Sequence, residues 1–327
     1  MRGDNIHLFW TKHAQTDTTL ANWRQRPITL NPSHILSLQS HAKFGHNVNL
    51  YTYQPIANEL PDNVTVIDAD QYLPELDAWA SLGRGHSIAH ISDLVRLRAA
   101  NTHGGLVIDM DSIIVNELPG VDGFFCTIPA KVTGGVAPKW GKANPPFVVH
   151  DGTWDGKALS NFPVKINKDM NTPIDQLTQR IEQTLKVFPS TNTKAWNYVM
   201  WALKDISRTL PDAPVFPPIK AGPIPAWLGP GQCYSTESPT RLTGTQYAFG
   251  YRLPSIQEIL NESYIVQHFF ESAFQSKDQQ QTPAAFWYDM PPKSLIGILA
   301  EQTVGRRWKT LLPKLGQTKP KFNEPHT

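Results

Sequence analysis

One stretch of the chain, from His86 to Val115, limits the fold more than any other. Four apolar residues recur on one face of a helix predicted from Ser87 to His103: Ile88, Ile91, Leu94 and Val95. A Gly-Gly pair at 104–105 follows, and glycine is the usual residue for the turn that ends a helix. The next residues, LVID, form the apolar run that is typical of a strand buried on both faces. This predicted strand leads directly into Asp109 and Asp111.

The rest of the N-terminal half alternates predicted strands with predicted helices. Strands are expected at Ile6–Trp10, Val48–Tyr53 and Val64–Asp68. A helix capped by Ser33 and ended by Gly45 lies between the first two. This order predicts an α/β fold with a mostly parallel sheet and crossover helices.

The sequence beyond Pro129 is rich in proline, glycine and tryptophan, which predicts long loops. Several elements still stand out there: helices at Pro173–Val187 and Thr193–Thr209, strands within QYAFGYR and YIVQHFF, and an apolar stretch SLIGILAEQTV that leads into a basic tail. We therefore predict one mixed α/β domain with helices on both faces of a single sheet and a loop-rich C-terminal half.

Composition indicates a globular protein with a substantial core, because 40% of the 327 residues are apolar and 18% are charged. The net charge is +2, but residues 293–327 carry seven Lys and Arg against two Glu. This basic segment is either a solvated helix and tail or a contact for an anionic membrane or another phosphate-rich partner. Two cysteines are too few for a disulfide framework. With no signal-peptide or transmembrane run, the sequence predicts a cytoplasmic protein.

The aspartate pair indicates a cation site. Side chains two apart on a strand point the same way, and like charges so close destabilise each other unless a cation or donors lie between them. Ligands of open α/β sheets bind outside the carboxyl ends of the strands. Asp109 and Asp111 therefore predict a Mg²⁺ or Mn²⁺ site completed by substrate phosphates. Asp93 and Arg96 share a helix face, either as a plain ion pair or as a border of the same cleft.

The segment SDLVRLRAANTHGGLVIDMD resembles the signature of the glycosyltransferases with a D-x-D sugar-binding region. That family includes yeast Golgi α-mannosyltransferases, glycolipid α-galactosyltransferases, the clostridial glucosylating toxins and bacterial surface-glycan enzymes. IHLFW is similar to the family's first strand, and VQHFFESAF is similar to its closing His and Ser-x-Trp motif. The resemblance implies a GT-A-type Rossmann-like sheet over residues 1–290, with a nucleotide-binding half at 1–128, an acceptor-side half at 129–290, and a basic helix and tail at 291–327.

The resemblance also implies roles for the central residues. Asp109 would contact the donor's ribose and sugar, and Asp111, with Asp109 beside it, would hold the Mn²⁺ or Mg²⁺ that bridges the diphosphate. Asp93 and Arg96 would hold hydroxyls of the transferred sugar.

Residues at the two ends of the resemblance would complete the donor site. Trp10 would stack on the base, with core packing as the alternative, and His268 and Ser272 would reach the diphosphate or the metal. Two positions depart from the family pattern: Val107 replaces a common aromatic, and Phe274 replaces the tryptophan whose indole N–H would bond the leaving group.

The predicted function is therefore transfer of a sugar from a nucleotide sugar, by family habit a UDP-sugar, to a hydroxyl acceptor with retention of anomeric configuration. The acceptor is either a bacterial surface-glycan or glycolipid precursor or, as in phage-type enzymes, a hydroxymethylated pyrimidine in DNA. A third reading is a nucleotide-sugar or glycan-binding module without turnover, which the departures at Val107 and Phe274 would permit.

Overall fold

Five strands form a mixed sheet in the computed structural model, in the order Val64–Asp68, Asn47–Thr52, Asn5–Phe9, Gly105–Val107 and Val164–Ile166. The structure describes residues 3–11, 23–75, 78, 88–129, 157–159, 163–167, 170–187, 214–224, 233, 247–248, 251–268 and 287–315. The strands in chain order are β1 (Asn5–Phe9), β2 (Asn47–Thr52), β3 (Val64–Asp68), β4 (Gly105–Val107), β5 (Ser112–Ile114), β6 (Phe125–Pro129), β7 (Lys157–Leu159), β8 (Val164–Ile166), β9 (Val215–Phe216), β10 (Tyr247–Ala248), β11 (Tyr251–Arg252) and β12 (Ile265–Gln267). The helices are α1 (Pro32–Lys43), α2 (Ile88–His103), α3 (Asn171–Val187), α4 (Pro218–Ala221), α5 (Ile256–Glu262), α6 (Leu295–Val304) and α7 (Trp308–Leu315).

The sheet is parallel except at one edge. β1 pairs in parallel with both β2 and β4, β2 pairs in parallel with β3, and β8 runs antiparallel to β4. The predicted α/β fold with a mostly parallel sheet is confirmed. Since β1 to β4 point the same way, their carboxyl ends share one edge of the sheet, and the residues that follow them meet there.

Helices cover both faces of the sheet, as the alternation of side chains along the strands requires. Ile6 and Leu8 of β1 belong to one core cluster, which also contains side chains of α1, α6 and α7. Phe9 of β1 and Val107 of β4 belong to a second cluster with side chains of α2 and α3. β1 and β4 therefore each supply apolar residues to two cores, which explains why LVID begins with three successive apolar residues.

The structure bears out most of the predicted elements and corrects the start of α1. Asn31, not Ser33, is the N-cap, because its side-chain oxygen accepts the backbone N–H groups of Ser33 and His34 at 3.0 and 3.1 Å. Pro32 occupies the first helical position, where its missing N–H costs nothing. The predicted helix at Thr193–Thr209 lies outside the described residues.

The C-terminal helices pack onto the sheet's first crossover helix. α1 contacts both α6 and α7, and Trp287 meets Trp308 edge to face with ring centroids 5.9 Å apart. Both tryptophans are buried, so the first part of the predicted basic segment contributes to the core. Within the described residues, no helix has the length and the apolar character needed to cross a bilayer.

Candidate active site at the carboxyl edge of the sheet

The aspartate pair lies in a turn just after β4. The strand ends at Val107, and the backbone N–H of Ser112 donates to Asp109 O at 3.1 Å, which closes a turn over residues 109–112. β5 then begins and pairs with β12, so that Gln267 lies opposite Ser112. From the sequence, Asp109 and Asp111 were expected at the end of the strand itself, whereas the strand ends two residues before Asp109. The turn, together with β12, now accounts for where the two carboxylates lie.

Arg96 of α2 joins two of the predicted site residues. One guanidinium nitrogen lies 2.8 Å from Asp109 Oδ1, and the other lies 2.9 Å from Asp93 Oδ1. Arg96 also donates to the carbonyls of Ile108 and Ser92, and its side chain is only 2% exposed. The helix that precedes the Gly-Gly pair therefore does border the same site as the aspartates. A basic group lies beside the pair although none is near it in sequence.

Burial perturbs the acidity of two of these carboxyl groups. Burial raises the pKa of Asp93 above its ordinary range; Arg96 opposes this shift, and Asp109 adds to it. Burial, and then the negative charge of Asp109, raise the pKa of Asp111 to about 7. A hydrogen bond from Gln267 acts in the opposite direction. Both carboxyls are therefore costly to ionise unless positive charge is supplied.

Both carboxylates of the pair accept a hydrogen bond from the same side-chain amide. Gln267 Nε2 lies 3.1 Å from Asp109 Oδ2 and 3.3 Å from Asp111 Oδ1. Gln267 is not among the site residues predicted from the sequence. The available signal was its place in the predicted strand within YIVQHFF, but its partner strand lies about 150 residues earlier in the chain.

Of the residues predicted from the outer motifs, Trp10 follows a strand at the same edge of the sheet, and His268 contacts the pair through its backbone. Trp10 directly follows β1 at the same edge, and its ring centroid is 3.9 Å from that of His34. Its Nε1 is buried and finds no hydrogen-bond partner within the part of the chain that the structure describes. His268 donates its backbone N–H to Asp111 O at 2.9 Å. Burial, and then the proximity of His34, lowers the pKa of the His268 imidazole to about 3.

The remaining predicted positions divide into two groups. Val107 is fully buried in the core that α2 and α3 share, so it acts there as a packing residue. Ser272 and Phe274 lie outside the described residues. Among the described residues, no group of three or more His, Cys, Asp or Glu side chains is arranged to hold a metal ion. Any cation here would take only part of its ligands from these aspartates.

No protein-family profile matches the sequence, and no curated protein matches it. Among solved structures, the chain is similar to one titled PaToxG Glycosyltransferase, with a TM-score of 0.39 and 16% sequence identity. The similarity covers 64% of this chain and 70% of that one.

Proposed function

We propose that this chain is a cytoplasmic, metal-dependent glycosyltransferase that moves a sugar from a nucleotide sugar, a UDP-sugar, to a hydroxyl acceptor with retention of configuration. One observation carries the proposal: Asp93, Arg96, Asp109 and Asp111 meet at the carboxyl edge of a parallel sheet, where such folds bind their ligands. These are the residues on which the central sequence resemblance depends.

The charges of this group fit a divalent cation. Asp93 and Asp109 share a single guanidinium, and Asp111 shares the amide of Gln267 with Asp109, so the ionised cluster of Asp93, Asp109, Asp111 and Arg96 carries an excess of two negative charges. Asp111, whose pKa burial and Asp109 raise, would ionise readily only beside a positive charge. Carboxylate oxygens are ligands that Mg²⁺ and Mn²⁺ accept, and donor phosphates would supply the rest. Such a cation would stabilise the leaving diphosphate as a Lewis acid.

The surrounding side chains have separate tasks in this proposal. Asp111 holds the cation with Asp109 beside it, and Asp109, whose side chain is 34% exposed, also accepts hydroxyls of the donor. Arg96 is too buried in this structure to reach a substrate directly, so it orients Asp93 and Asp109 instead. Trp10, which is half-buried at the same edge, would stack on the base of the nucleotide. The contacts of Asp93, His268 and Ser272 with the donor stay predictions.

Because the sequence shows no obvious protein nucleophile, we propose that the sugar is transferred in one step, without a covalent intermediate on the protein. The acceptor oxygen attacks the anomeric carbon on the face from which the diphosphate leaves. The carbon–oxygen bond to the diphosphate breaks, and the acceptor's proton passes to a diphosphate oxygen. Fixed carboxylates near the reacting carbon stabilise the positive charge that develops there.

A thermal-shift screen of nucleotide sugars with and without Mn²⁺ tests the proposal. A ligand at a hundred times its Kd stabilises the folded protein by about 2.7 kcal/mol, so UDP-sugars should raise the Tm only when Mn²⁺ is present. Turnover of the stabilising sugar nucleotide should then stop on addition of EDTA. Binding without turnover would identify a non-catalytic binding module. Turnover that survives EDTA would contradict the metal dependence, as expected for a hydrolase that uses two carboxylic groups.

A surface of exposed basic side chains bears on the acceptor. Lys293, Arg306, Arg307 and Lys314 are all exposed around α6 and α7. This surface suits either the anionic membrane that carries a glycolipid precursor, which we favour, or DNA that carries a hydroxymethylated pyrimidine. A mobility-shift assay with duplex DNA over a salt series separates the two, since DNA binding weakens steeply with salt. No shift at low salt would leave the glycan precursor.

A further inference from the structure

The side chain of Gln267 occupies the space between the two aspartates. It is half-buried, it ends β12, and its single amide nitrogen donates to Asp109 Oδ2 and to Asp111 Oδ1 at 3.1 and 3.3 Å. When both carboxylates are ionised, the N–H end faces the pair, because ionised carboxylates accept hydrogen bonds and cannot donate them. The amide oxygen therefore points away from the carboxylates in this state.

The backbone around Gln267 is fixed on both sides. Gln267 pairs with Ser112 across the β5–β12 ladder, and the next N–H, from His268, donates to Asp111 O at 2.9 Å. On the far side of β5, Ser37 Oγ of α1 donates to Ser112 O at 2.6 Å, and Ser40 Oγ accepts the N–H of Ile114 at 3.0 Å. Because these bonds hold both strands, the freedom left near the pair is in the Gln267 side-chain torsions.

A neutral amide does not compensate the charge of the pair. Gln267 satisfies one lone pair on each carboxylate, but Arg96 is the charged partner of Asp109 and also serves Asp93. The excess negative charge remains, and it is what a divalent cation would neutralise. A cation that approached both aspartates would meet the amide hydrogens of Gln267, which carry partial positive charge. The amide and the cation cannot both keep this arrangement.

We infer that Gln267 becomes a ligand of the divalent cation when that cation binds. In the cation-free protein its N–H group bridges Asp109 and Asp111, and when a divalent cation binds, the amide turns so that its oxygen faces the cation. The terminal torsion of glutamine is broad and roughly two-fold, so the turn needs no movement of the strands. Carbonyl oxygen is a ligand type that Mg²⁺ and Mn²⁺ accept. This inference rests on the proposed function, since it assumes a cation at the pair.

Two variants distinguish a ligand from a structural amide. Gln267→Met keeps a similar length but removes the oxygen, and Gln267→Glu keeps an oxygen and adds negative charge. A ligand role predicts that Mn²⁺ binds the Met variant about tenfold more weakly. It predicts that Mn²⁺ binds the Glu variant at least as tightly as wild type. If the amide only stabilises the fold, both variants should be less stable in EDTA, and the Mn²⁺ Kd of the Met variant should equal the wild-type value.

The measurement is the free Mn²⁺ signal in electron paramagnetic resonance during titration with full-length protein, with Mn²⁺ as the only added ligand. Thermal unfolding in EDTA shows that each variant is folded. Weaker binding in the Met variant together with retained binding in the Glu variant supports the inference. Mn²⁺ binding that is unchanged or tighter in the Met variant overturns the inference and leaves the proposed function standing. Failure of the wild-type chain to bind Mn²⁺ alone overturns the inference, while the proposed function, in which donor phosphates complete the cation site, is then decided by the thermal-shift screen with nucleotide sugars.

Discussion

The guanidinium of Arg96 lies 2.8 Å from the carboxylate of Asp109, across the Gly-Gly turn that separates their elements. Its other nitrogen lies 2.9 Å from Asp93, one helical turn earlier on α2. Arg96 is buried, so the pair of contacts fixes the position of the helix relative to the residue that follows β4. The site therefore depends on a buried ion cluster whose members come from both sides of one turn.

Replacing Arg96 should destabilise the protein strongly. Arg96→Met leaves Asp93 and Asp109 without their charged partner, and breaking a buried pair on one side costs about 3–5 kcal/mol. Arg98→Met on the same helix is the matched control, since Arg98 pairs with Glu182 near the surface and should cost about 1 kcal/mol. Free energies of unfolding from urea titration measure both. Equal losses would contradict the central position given to Arg96.

The second glycine of the Gly-Gly pair should tolerate no side chain. Gly105 has a φ of +119°, and a Cβ there would lie 2.3 Å from Asn5 O of the neighbouring strand. Gly105→Ala should therefore cost more than about 3 kcal/mol, because backbone strain and a clash with main chain add together.

Gly45 supplies the control for that prediction. It has a φ of +70°, but a Cβ there would meet no atom within 4 Å. Gly45→Ala should cost only the strain of the left-handed conformation, about 1 kcal/mol. Chemical denaturation of the two variants checks the difference. A Gly105→Ala protein as stable as the Gly45→Ala protein would show that β1 and β4 are not packed this closely.

The buried His7 should make the protein sensitive to acid. Its Nε2 lies 2.8 Å from Gly104 O, so it carries the proton, and its Nδ1 accepts from the Tyr51 hydroxyl at 2.8 Å. Burial lowers the pKa of His7 from 6.5 to about 4, although the bond to Gly104 opposes the shift. The unfolded chain therefore takes up its proton first as pH falls. Stability is full above pH 6.5 and is lost progressively towards pH 4.

His7→Asn should reduce this acid sensitivity. At pH 5 the difference between the pKa values of His7 in the folded and unfolded chains lowers the free energy of unfolding by about 2 kcal/mol relative to neutral pH. A side chain that does not titrate removes this loss. The variant will be less stable than wild type at pH 7.5. The fall in its free energy of unfolding between pH 7.5 and pH 5 should, however, be smaller than that of wild type by about 2 kcal/mol. Urea unfolding at the two pH values measures this loss. Equal losses in the two proteins would show that His7 is not buried in its neutral form.

Local patterns predicted much of the fold. Alternation and apolar runs identified β1 to β4, and the 3.6-residue period with a Gly-Gly stop identified α2. Because α2 and β4 are adjacent in sequence, the prediction that Asp93 and Arg96 border the aspartate pair followed from short-range information. The Ser33 cap was wrong because the helix begins two residues earlier: Asn31 accepts the N–H groups of Ser33 and His34, and Pro32 occupies the first helical position.

The features that sequence alone did not reveal depend on contacts between distant segments. Gln267 reaches the pair only because β12 pairs with β5, and no local pattern specifies that register. His268 was predicted from a motif, but its burial beside His34 depends on α1. Whether Ser272 contacts the donor, and whether the chain divides at residues 128 and 290, stay predictions.

Loss of the Asp111 carboxylate is the most direct test of the metal-dependent transfer that we propose. The measurement compares UDP-sugar turnover in Mn²⁺ by wild type, Asp111→Asn and Asp122→Asn, whose site lies on the exposed surface after β5. The account predicts that Asp111→Asn, folded and with an unchanged or higher melting temperature in EDTA, turns over donor at least about a hundredfold more slowly. It predicts that Asp122→Asn matches wild type. Wild-type turnover in the Asp111→Asn protein would contradict the account.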